Sequence, residues 1–377
     1  MFIPLTTKPR AELRPQESKI SRSDWEVLSD FWYPVAVAAQ LQDEPMPVQL
    51  LDVDLVLYRG PSGTVGVVVD LCPHRNIRLS TGSILEGELV CPFHGLRFGP
   101  TGRCRLPALG RAEKLPASYS VRAFPGVERY GLIWTCLGRP EAHTIPRVPA
   151  LEGVPAEGLD ILGPQSWPVS AARQMENFLD VGHVPLVHAS TIGGDVASAL
   201  RPGTIEAIDD ALILTVPYTE QWPGGAPRPC LFVYRTIIPF TIDFKIEDHT
   251  TGDSMYALNI PSPTSAHRSR VFQVFRVVDA TSMPKRQLQH TFMTVFAQVN
   301  QQDIDILSSL RMPDLPLDQH HEVHLPPDNI CGAYRARLRG LGLGQTRSDV
   351  GTSRPTRTAG GRRKSKRRAP ATGIARD

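Results

Sequence analysis

The chain has 377 residues, of which 41% are hydrophobic and 21% charged, so its composition is that of a globular protein and excludes a fibrous or wholly disordered one. Its net charge of +3 arises in residues 353–377, which hold nine of the 41 basic and one of the 38 acidic residues, so the rest is mildly acidic. No stretch reaches the roughly 20 apolar residues of a membrane-spanning helix.

The start of the chain lacks the charged and apolar regions of a secretory signal. Six cysteines are too few for a disulfide scaffold, which favours a reducing compartment. We therefore predict a cytoplasmic protein without a membrane partner. A basic end of this kind can contact nucleic acid, but we interpret it as a solvated tail and predict no nucleic-acid partner.

The pattern along the chain predicts an α+β protein with two folded domains. An N-terminal arm, residues 1–26, precedes an antiparallel β domain, residues 27–142, in which short strands alternate with tight turns. Residues 143–345 combine strand-like runs with helices at 171–183 and 284–311, which predicts a sheet with helices packed on it. Residues 346–377 are Gly- and Arg-rich and predict a disordered tail.

Two Cys/His pairs are the strongest chemical signal in the first domain. Cys72-Pro73-His74 is followed, after residues 75–90, by Cys91-Pro92-Phe93-His94, and each pair lies in a turn after a strand-like run. Two thiolates and two imidazoles can hold either a tetrahedral zinc ion or a [2Fe-2S] cluster. The mixed pairs argue against zinc, since zinc fingers group cysteines and histidines separately.

A second constellation lies in residues 177–188, Asn177-Phe-Leu-Asp180-Val-Gly-His183-Val-Pro-Leu-Val-His188. Asn177, Asp180 and His183 are three residues apart and would lie on one face of a helix. A proline between the two histidines breaks that helix, and the break could bring His188 to the same metal ion as His183.

A third metal ligand is predicted in residues 284–311. The apolar positions that form one helical stripe there are Phe292, Val295, Phe296, Val299, Ile306, Leu307 and Leu310. Asp303 falls on this stripe, and a carboxylate on a buried face is costly unless it is paired or binds a metal. His183, His188 and Asp303 then match the two-histidine, one-carboxylate triad of oxygen-activating iron enzymes.

These motifs resemble those of the Rieske-type non-heme iron oxygenases, the ring-hydroxylating and vanillate demethylase-like α subunits. The resemblance covers about residues 27–345 and rests on CPHRNIRLSTG…LVCPFHGLRFGPTGRC, the 177–188 segment and DNICGAYRARLRGLGLG. It implies a Rieske domain followed by a helix-grip-like catalytic domain. One departure is Gln302, at a position before Asp303 where the family often has an acidic residue.

The resemblance also implies roles for the residues of both motifs. Cys72 and Cys91 would bind one iron of a [2Fe-2S] cluster, and His74 and His94 the other. His183, His188 and Asp303 would bind a mononuclear Fe(II). Asp180 would connect an iron-ligating histidine to a cluster histidine of the neighbouring subunit in a homotrimer, and Asn177 is a further catalytic candidate.

The sequence therefore predicts a terminal oxygenase that uses O2 to hydroxylate or demethylate a small organic molecule. No nucleotide-binding fingerprint is present, so NAD(P)H and flavin would belong to a separate reductase or ferredoxin system. The similarity to demethylases favours monooxygenation over dihydroxylation. Two alternatives stay open at this point, a Rieske electron carrier without oxygenase activity and a zinc-stabilised binding protein.

Overall fold

The computed structural model of the chain describes residues 13–105, 115–222 and 224–344. The start of the predicted arm and the predicted basic tail, residues 346–377, lie outside these ranges. Within them, no helix is long and apolar enough to cross a membrane.

The first part of the described chain consists of short antiparallel strands in three sheets. Their bounds are β1 Tyr33–Val37, β2 Met46–Leu50, β3 Val53–Arg59, β4 Val65–Val69, β5 Ser83–Leu85, β6 Glu88–Val90, β7 Arg97–Phe98, β8 Cys104–Arg105, β9 Ala123–Phe124, β10 Gly126–Arg129 and β11 Leu132–Thr135. The strand orders are β1-β11-β10, β2-β3-β4-β9 and β5-β6-β7-β8. Leu51 and Asp52 join β2 to β3 with φ of 52° and 63°, as a tight hairpin turn between twisted strands requires.

The second part contains a seven-stranded antiparallel sheet. Its strands are β12 Asp160–Trp167, β13 Thr204–Ile208, β14 Ala211–Glu220, β15 Arg228–Ile237, β16 Thr241–Asp248, β17 Ser254–Ser265 and β18 Arg268–Asp279, in the order β12-β18-β17-β16-β15-β14-β13. Every second side chain of β14 and β15 is buried, among them Tyr218, Glu220, Phe232 and Tyr234. This alternation gives the sheet one enclosed face.

Six α-helices accompany the sheets in the described part of the chain. They are α1 Arg22–Ser29, α2 Ala171–Leu179, α3 Val184–Val187, α4 Val196–Ala199, α5 Lys285–Leu307 and α6 Asn329–Gly340. α5 packs against β12 and β18, while α2 packs against β17, β18 and α6. The α+β prediction is confirmed, and the helix predicted in 284–311 is α5. α1 crosses the predicted boundary at residue 26, and the boundaries at 26, 142 and 345 stay predictions.

The helix predicted for residues 171–183 is too long. α2 ends at Leu179, because the side chain of Asp180 accepts a hydrogen bond from the backbone N–H of Gly182 at 2.8 Å and turns the chain. Pro185 then lies in the first turn of α3, the part of a helix where proline fits. Pro185 therefore starts a new helix and does not kink a continuous one.

The apolar stripe predicted for residues 284–311 is correct at Phe292, Phe296 and Leu307, which are buried or pack against buried clusters, and wrong at Ile306 and Leu310. Ile306 and Leu310 are 52% and 40% exposed, whereas Ile304 packs against a small buried cluster around Trp167. Asp303 itself is 5% exposed, as predicted for a carboxylate on the buried face.

Candidate metal centres and substrate pocket

The two Cys/His loops of the β domain adopt the same hydrogen-bonded turn. The backbone N–H of Cys72 donates to the carbonyl of Ile77 at 2.8 Å, and that of Cys91 donates to the carbonyl of Leu96 at 2.8 Å. The first loop follows β4 and the second connects β6 to β7, so adjoining sheets hold the two loops.

The cysteines and histidines of these loops differ in exposure. Cys72 and Cys91 are each 1% exposed, whereas His74 and His94 lie at the surface, with their Nδ1 atoms 3.1 Å apart. Burial raises the pKa of the Cys72 thiol and the adjacent Cys91 raises it further, although backbone N–H groups of His74 and Arg75 donate to the sulfur. Such N–H groups stabilise and tune a thiolate that binds iron.

The spacing of the four side chains bears on the choice between one metal ion and two. Cys72 and Cys91 approach each other, as do His74 and His94. Across the described residues, however, the only group of three or more such ligands with all ligand atoms within 4.8 Å lies elsewhere in the chain. The four ligand atoms of a single tetrahedral zinc ion would all lie within 4.8 Å of one another, and those of Cys72, His74, Cys91 and His94 do not. A cysteine pair separated from a histidine pair fits a binuclear cluster.

The second candidate centre is that other group, His183, His188 and Asp303. Oδ1 of Asp303 lies 3.4 Å from Nε2 of His183 and 3.2 Å from Nε2 of His188, and the two Nε2 atoms are 3.2 Å apart. Oδ1 accepts no well-aligned hydrogen bond although it is buried. Three ligand atoms that converge in this way, with one buried oxygen unsatisfied, fit a bound cation.

The electrostatics of this triad also favour a central positive charge. Burial lowers the pKa of His183, but contacts with Asp180 and Asp303 outweigh it and raise the pKa to about 9. Burial raises the pKa of Asp303, but the two histidines reverse that effect and the pKa is lowered overall. A cation between these groups would take the place of the proton that they otherwise share.

Neighbouring side chains orient both imidazoles. Nδ1 of His183 lies 3.2 Å from Oδ2 of Asp180, and Nδ1 of His188 lies 2.8 Å from Oε1 of Gln302. Because the Nδ1 atoms face these acceptors, both Nε2 atoms face Asp303. Histidines that bind metals usually have such a partner on their other nitrogen.

Gln302 is a site residue for which the sequence analysis predicted no role. Its Oε1 also accepts from Oγ1 of Thr191 at 3.1 Å, and its Nε2 donates to Oγ of Ser190 at 2.9 Å. The only hint of this role in the sequence was that Gln302 replaces the acidic residue that the family often has before the aspartate. The contact itself could not be predicted, because it joins α5 to the chain after α3.

A pocket of about 600 Å³, including its opening to solvent, lies against the triad between the enclosed face of the sheet and α5. Its walls are mostly apolar and aromatic. They are formed by Asn177, Phe178, Asp180, His183, Val184, His188, Ile192, Glu220, Trp222, Phe232, Tyr234, Phe244, Ile246, Phe292, Val295, Phe296, Val299 and Asp303. The buried Nδ2 of Asn177 has no hydrogen-bond partner among the described residues.

The structure thus brings together Asn177, Asp180, His183, His188 and Asp303, all of which the sequence singled out. Phe244 of β16 also lines this pocket. Glu220 and Trp222 also line the pocket, and the sequence analysis missed them. The alternation of buried and exposed side chains along a strand does not show which face of the sheet lies against the metal centre.

Two family models match the chain. The Rieske [2Fe-2S] domain matches residues 31–125. The vanillate O-demethylase oxygenase C-terminal domain matches residues 167–343. The two matches together take in more than half of the chain and contain both candidate centres.

Individual proteins are similar over much of the chain. Methylxanthine N1-demethylase NdmA of Pseudomonas putida is 28% identical over 337 residues, which is 86% of this chain and 92% of that protein. The oxygenase component of dicamba O-demethylase from Stenotrophomonas maltophilia is 34% identical over 197 residues, 52% of this chain and 56% of that protein. The structure of NdmA from Pseudomonas putida CBB5 with caffeine has a TM-score of 0.70 and 26% identity, covering 83% of this chain and 91% of that one.

Proposed function

Because this chain belongs to the Rieske non-heme iron oxygenases, we propose that it is the terminal oxygenase of a demethylase-type system. It would oxidise a small aromatic or heterocyclic substrate with O2 and electrons from a separate reductase or ferredoxin. The observation that carries this proposal is the convergence of His183, His188 and Asp303 at the wall of an aromatic pocket.

The proposed ligands follow from the donor sets. Cys72 and Cys91 would hold one iron of a [2Fe-2S] cluster and His74 and His94 the other. The triad would hold a mononuclear Fe(II). When bound, the cluster supplies single electrons and the mononuclear iron supplies the site of oxygen activation. We assign the cluster to residues 27–142 and the mononuclear iron to residues 143–345.

The side chains around the triad would act by orientation and exclusion. Asp180 and Gln302 keep the Nε2 atoms of both histidines directed at Asp303. The aromatic wall, which includes Phe232 and Phe244, keeps water from the reacting methyl group of the substrate. In a demethylation one oxygen atom enters that methyl group, which leaves as formaldehyde. The other atom is reduced to water with two electrons and two protons.

We also propose that electrons reach the iron from a neighbouring subunit of a homotrimer, through Asp180. The support within this chain is that Asp180 touches His183 and is half-buried, so one side of it can face a partner. The cluster histidines are exposed, which suits contact with another subunit. All six cysteines lie among the described residues, and none of them forms a disulfide, in keeping with the cytoplasmic location that we propose.

Metal analysis with a visible spectrum tests the proposal against its alternatives. We expect the cluster irons plus one further iron per chain, and O2 uptake with formaldehyde release when methylated aromatic or heterocyclic compounds and a surrogate reductase are supplied. An electron carrier would contain only the cluster irons, and a zinc protein would be colourless.

A variant pair sharpens the test. Asp303→Ala should lose the mononuclear iron and retain the red-brown cluster, while Asp305→Ala, an exposed position on the same helix, should retain both. If Asp303→Ala still holds the additional iron with unchanged affinity, the proposed ligand set is wrong.

A further inference from the structure

Glu220 is an acidic side chain in the pocket for which the proposed chemistry has no use. It ends β14 on the same strand face as Tyr218, lines the pocket and is 2% exposed. It comes from the sheet, whereas the triad carboxylate comes from α5. Burial raises the pKa of Glu220, with Arg228 opposing the shift. Burying a carboxylate costs free energy unless protein contacts or a bound ligand satisfy its oxygens.

The protein contacts of Glu220 satisfy it only in part. Its Oε2 accepts a hydrogen bond from Nε1 of Trp222 at 2.9 Å, and Nη1 of Arg228 is 3.7 Å away. The Cys230 thiol also donates a weak hydrogen bond to Glu220, and burial, then Glu220, raise the pKa of that thiol to about 12, so it stays neutral. The nearest cationic atom, Nη1 of Arg228, lies too far from the carboxylate of Glu220 for a good hydrogen bond.

Arg228 pairs mainly with a different carboxylate, that of Asp248. Nε and Nη2 of Arg228 donate to Oδ2 of Asp248 at 2.8 and 2.5 Å. Oδ1 of Asp248 accepts from the backbone N–H groups of Thr250 and Thr251. The guanidinium of Arg228 thus lies between two buried carboxylates, those of Glu220 and Asp248, and it donates both of its short hydrogen bonds to Asp248. With both carboxylates ionised, this group would carry a net charge of −1 beside the pocket.

The other described side chains that line the pocket include no lysine or arginine to balance Glu220. The carboxylates of Asp180 and Asp303 face His183 and the metal position, so they are occupied within the centre itself. An anionic substrate would meet Glu220 without a lysine or arginine of the lining to pair with, whereas a hydrogen-bond donor would complete the contacts of Glu220.

We propose that Glu220 selects substrates whose apolar ring system carries a hydrogen-bond-donating nitrogen, an N–H or a protonated amine, and that the pocket rejects aromatic carboxylates. This inference rests on the proposed function, since it names the substrate class of the same pocket. The aromatic wall would bind the ring, and Glu220 would determine which ring substituents are accepted.

The test measures binding without turnover, so that it is separate from the test of oxygenase activity. Calorimetric titration of the fully metallated protein without O2 would compare para-methoxybenzylamine, para-methoxytoluene and para-methoxybenzoate, which share one ring and one methyl ether. We expect the amine to bind at least about tenfold more tightly than the carboxylate, with the neutral compound between them.

Glu220→Gln keeps the size of the side chain and removes its charge, and it should abolish the preference for the amine while retaining both metals. Glu206→Gln, an exposed acid on the neighbouring strand β13, is the matched control and should leave the order unchanged. Equal or tighter binding of the carboxylate by the unaltered protein would overturn the inference. So would no measurable binding of the amine, or equal weakening of all three probes in Glu220→Gln. In each case the iron content and the O2-dependent release of formaldehyde would still decide the proposed function independently.

Discussion

The imidazole of His188 donates its Nδ1 hydrogen to Oε1 of Gln302, 2.8 Å away on the neighbouring helix. The residue that orients this histidine is therefore adjacent in sequence to Asp303, which completes the triad. A neutral amide here fixes the tautomer of His188 without adding a negative charge, in contrast to the acidic residue that the family often has before this aspartate.

Replacing Gln302 should weaken the metal centre through His188. In Gln302→Leu the imidazole loses its acceptor, and we expect the affinity for Fe(II) to fall about 10- to 100-fold. Anaerobic titration with ferrous ion measures this. Gln302→Glu should restore much of the affinity, and Gln301→Leu, the exposed neighbour, should have no effect. A lower melting temperature with unchanged iron affinity would reduce Gln302 to a packing role.

Asp180→Asn should separate metal binding from electron transfer. The variant can keep the hydrogen bond to the backbone of Gly182, but it loses the negative charge next to Nδ1 of His183. At saturating Fe(II) we expect both metal centres to form while electron delivery to the mononuclear iron slows about 10- to 100-fold. Single-turnover absorbance changes of the reduced cluster measure this rate, and reduction of the cluster by dithionite is the control. Unchanged turnover would refute the relay role of Asp180.

The helix that carries Asn177 is held by a buried ionic network. Arg335 of α6 is 1% exposed and donates to both carboxylate oxygens of Glu176 at 2.7 and 2.5 Å, and to Glu322 at 2.5 Å. Lysine cannot reproduce this fork, so Arg335→Lys should destabilise the protein by about 3 kcal/mol. Thermal unfolding measures the loss, with Arg337→Lys on the same helix as control. A melting temperature equal to that of the control would contradict the structural role of the network.

Stability should depend on pH through Asp243, whose pKa burial raises to about 6 although Arg235 opposes the shift. Between the ordinary value of 3.8 and about 6 the folded protein binds more protons than the unfolded one, so stability falls as pH rises through this window. Above it the penalty is complete, at most about 3 kcal/mol. Asp243→Asn should therefore raise the melting temperature by a few degrees at pH 7 and not at pH 4. Asp210→Asn, at an exposed position, is the control. The same gain at both pH values would show that charge burial is not the cause.

The cluster loops and the triad differ in how much of them the sequence predicts. Cys72 and His74 lie in one turn, so local spacing was enough to single out the pair. Asp303 could be predicted from helical periodicity, because it is a carboxylate on the same helix face as the apolar residues Phe292 and Val299. The end of α2 was missed, since it depends on the side-chain turn at Asp180, and Glu220 was missed because its role depends on which strands meet α5.

The exposure of His74 and His94 has a kinetic consequence. With both sulfurs buried and both imidazoles at the surface, an electron has one short route into and out of the cluster, across the same edge. On the proposed ligand assignment, a protein that gives electrons to the cluster would approach it at this histidine edge. Side chains that cover the two imidazoles would therefore slow the exchange of electrons.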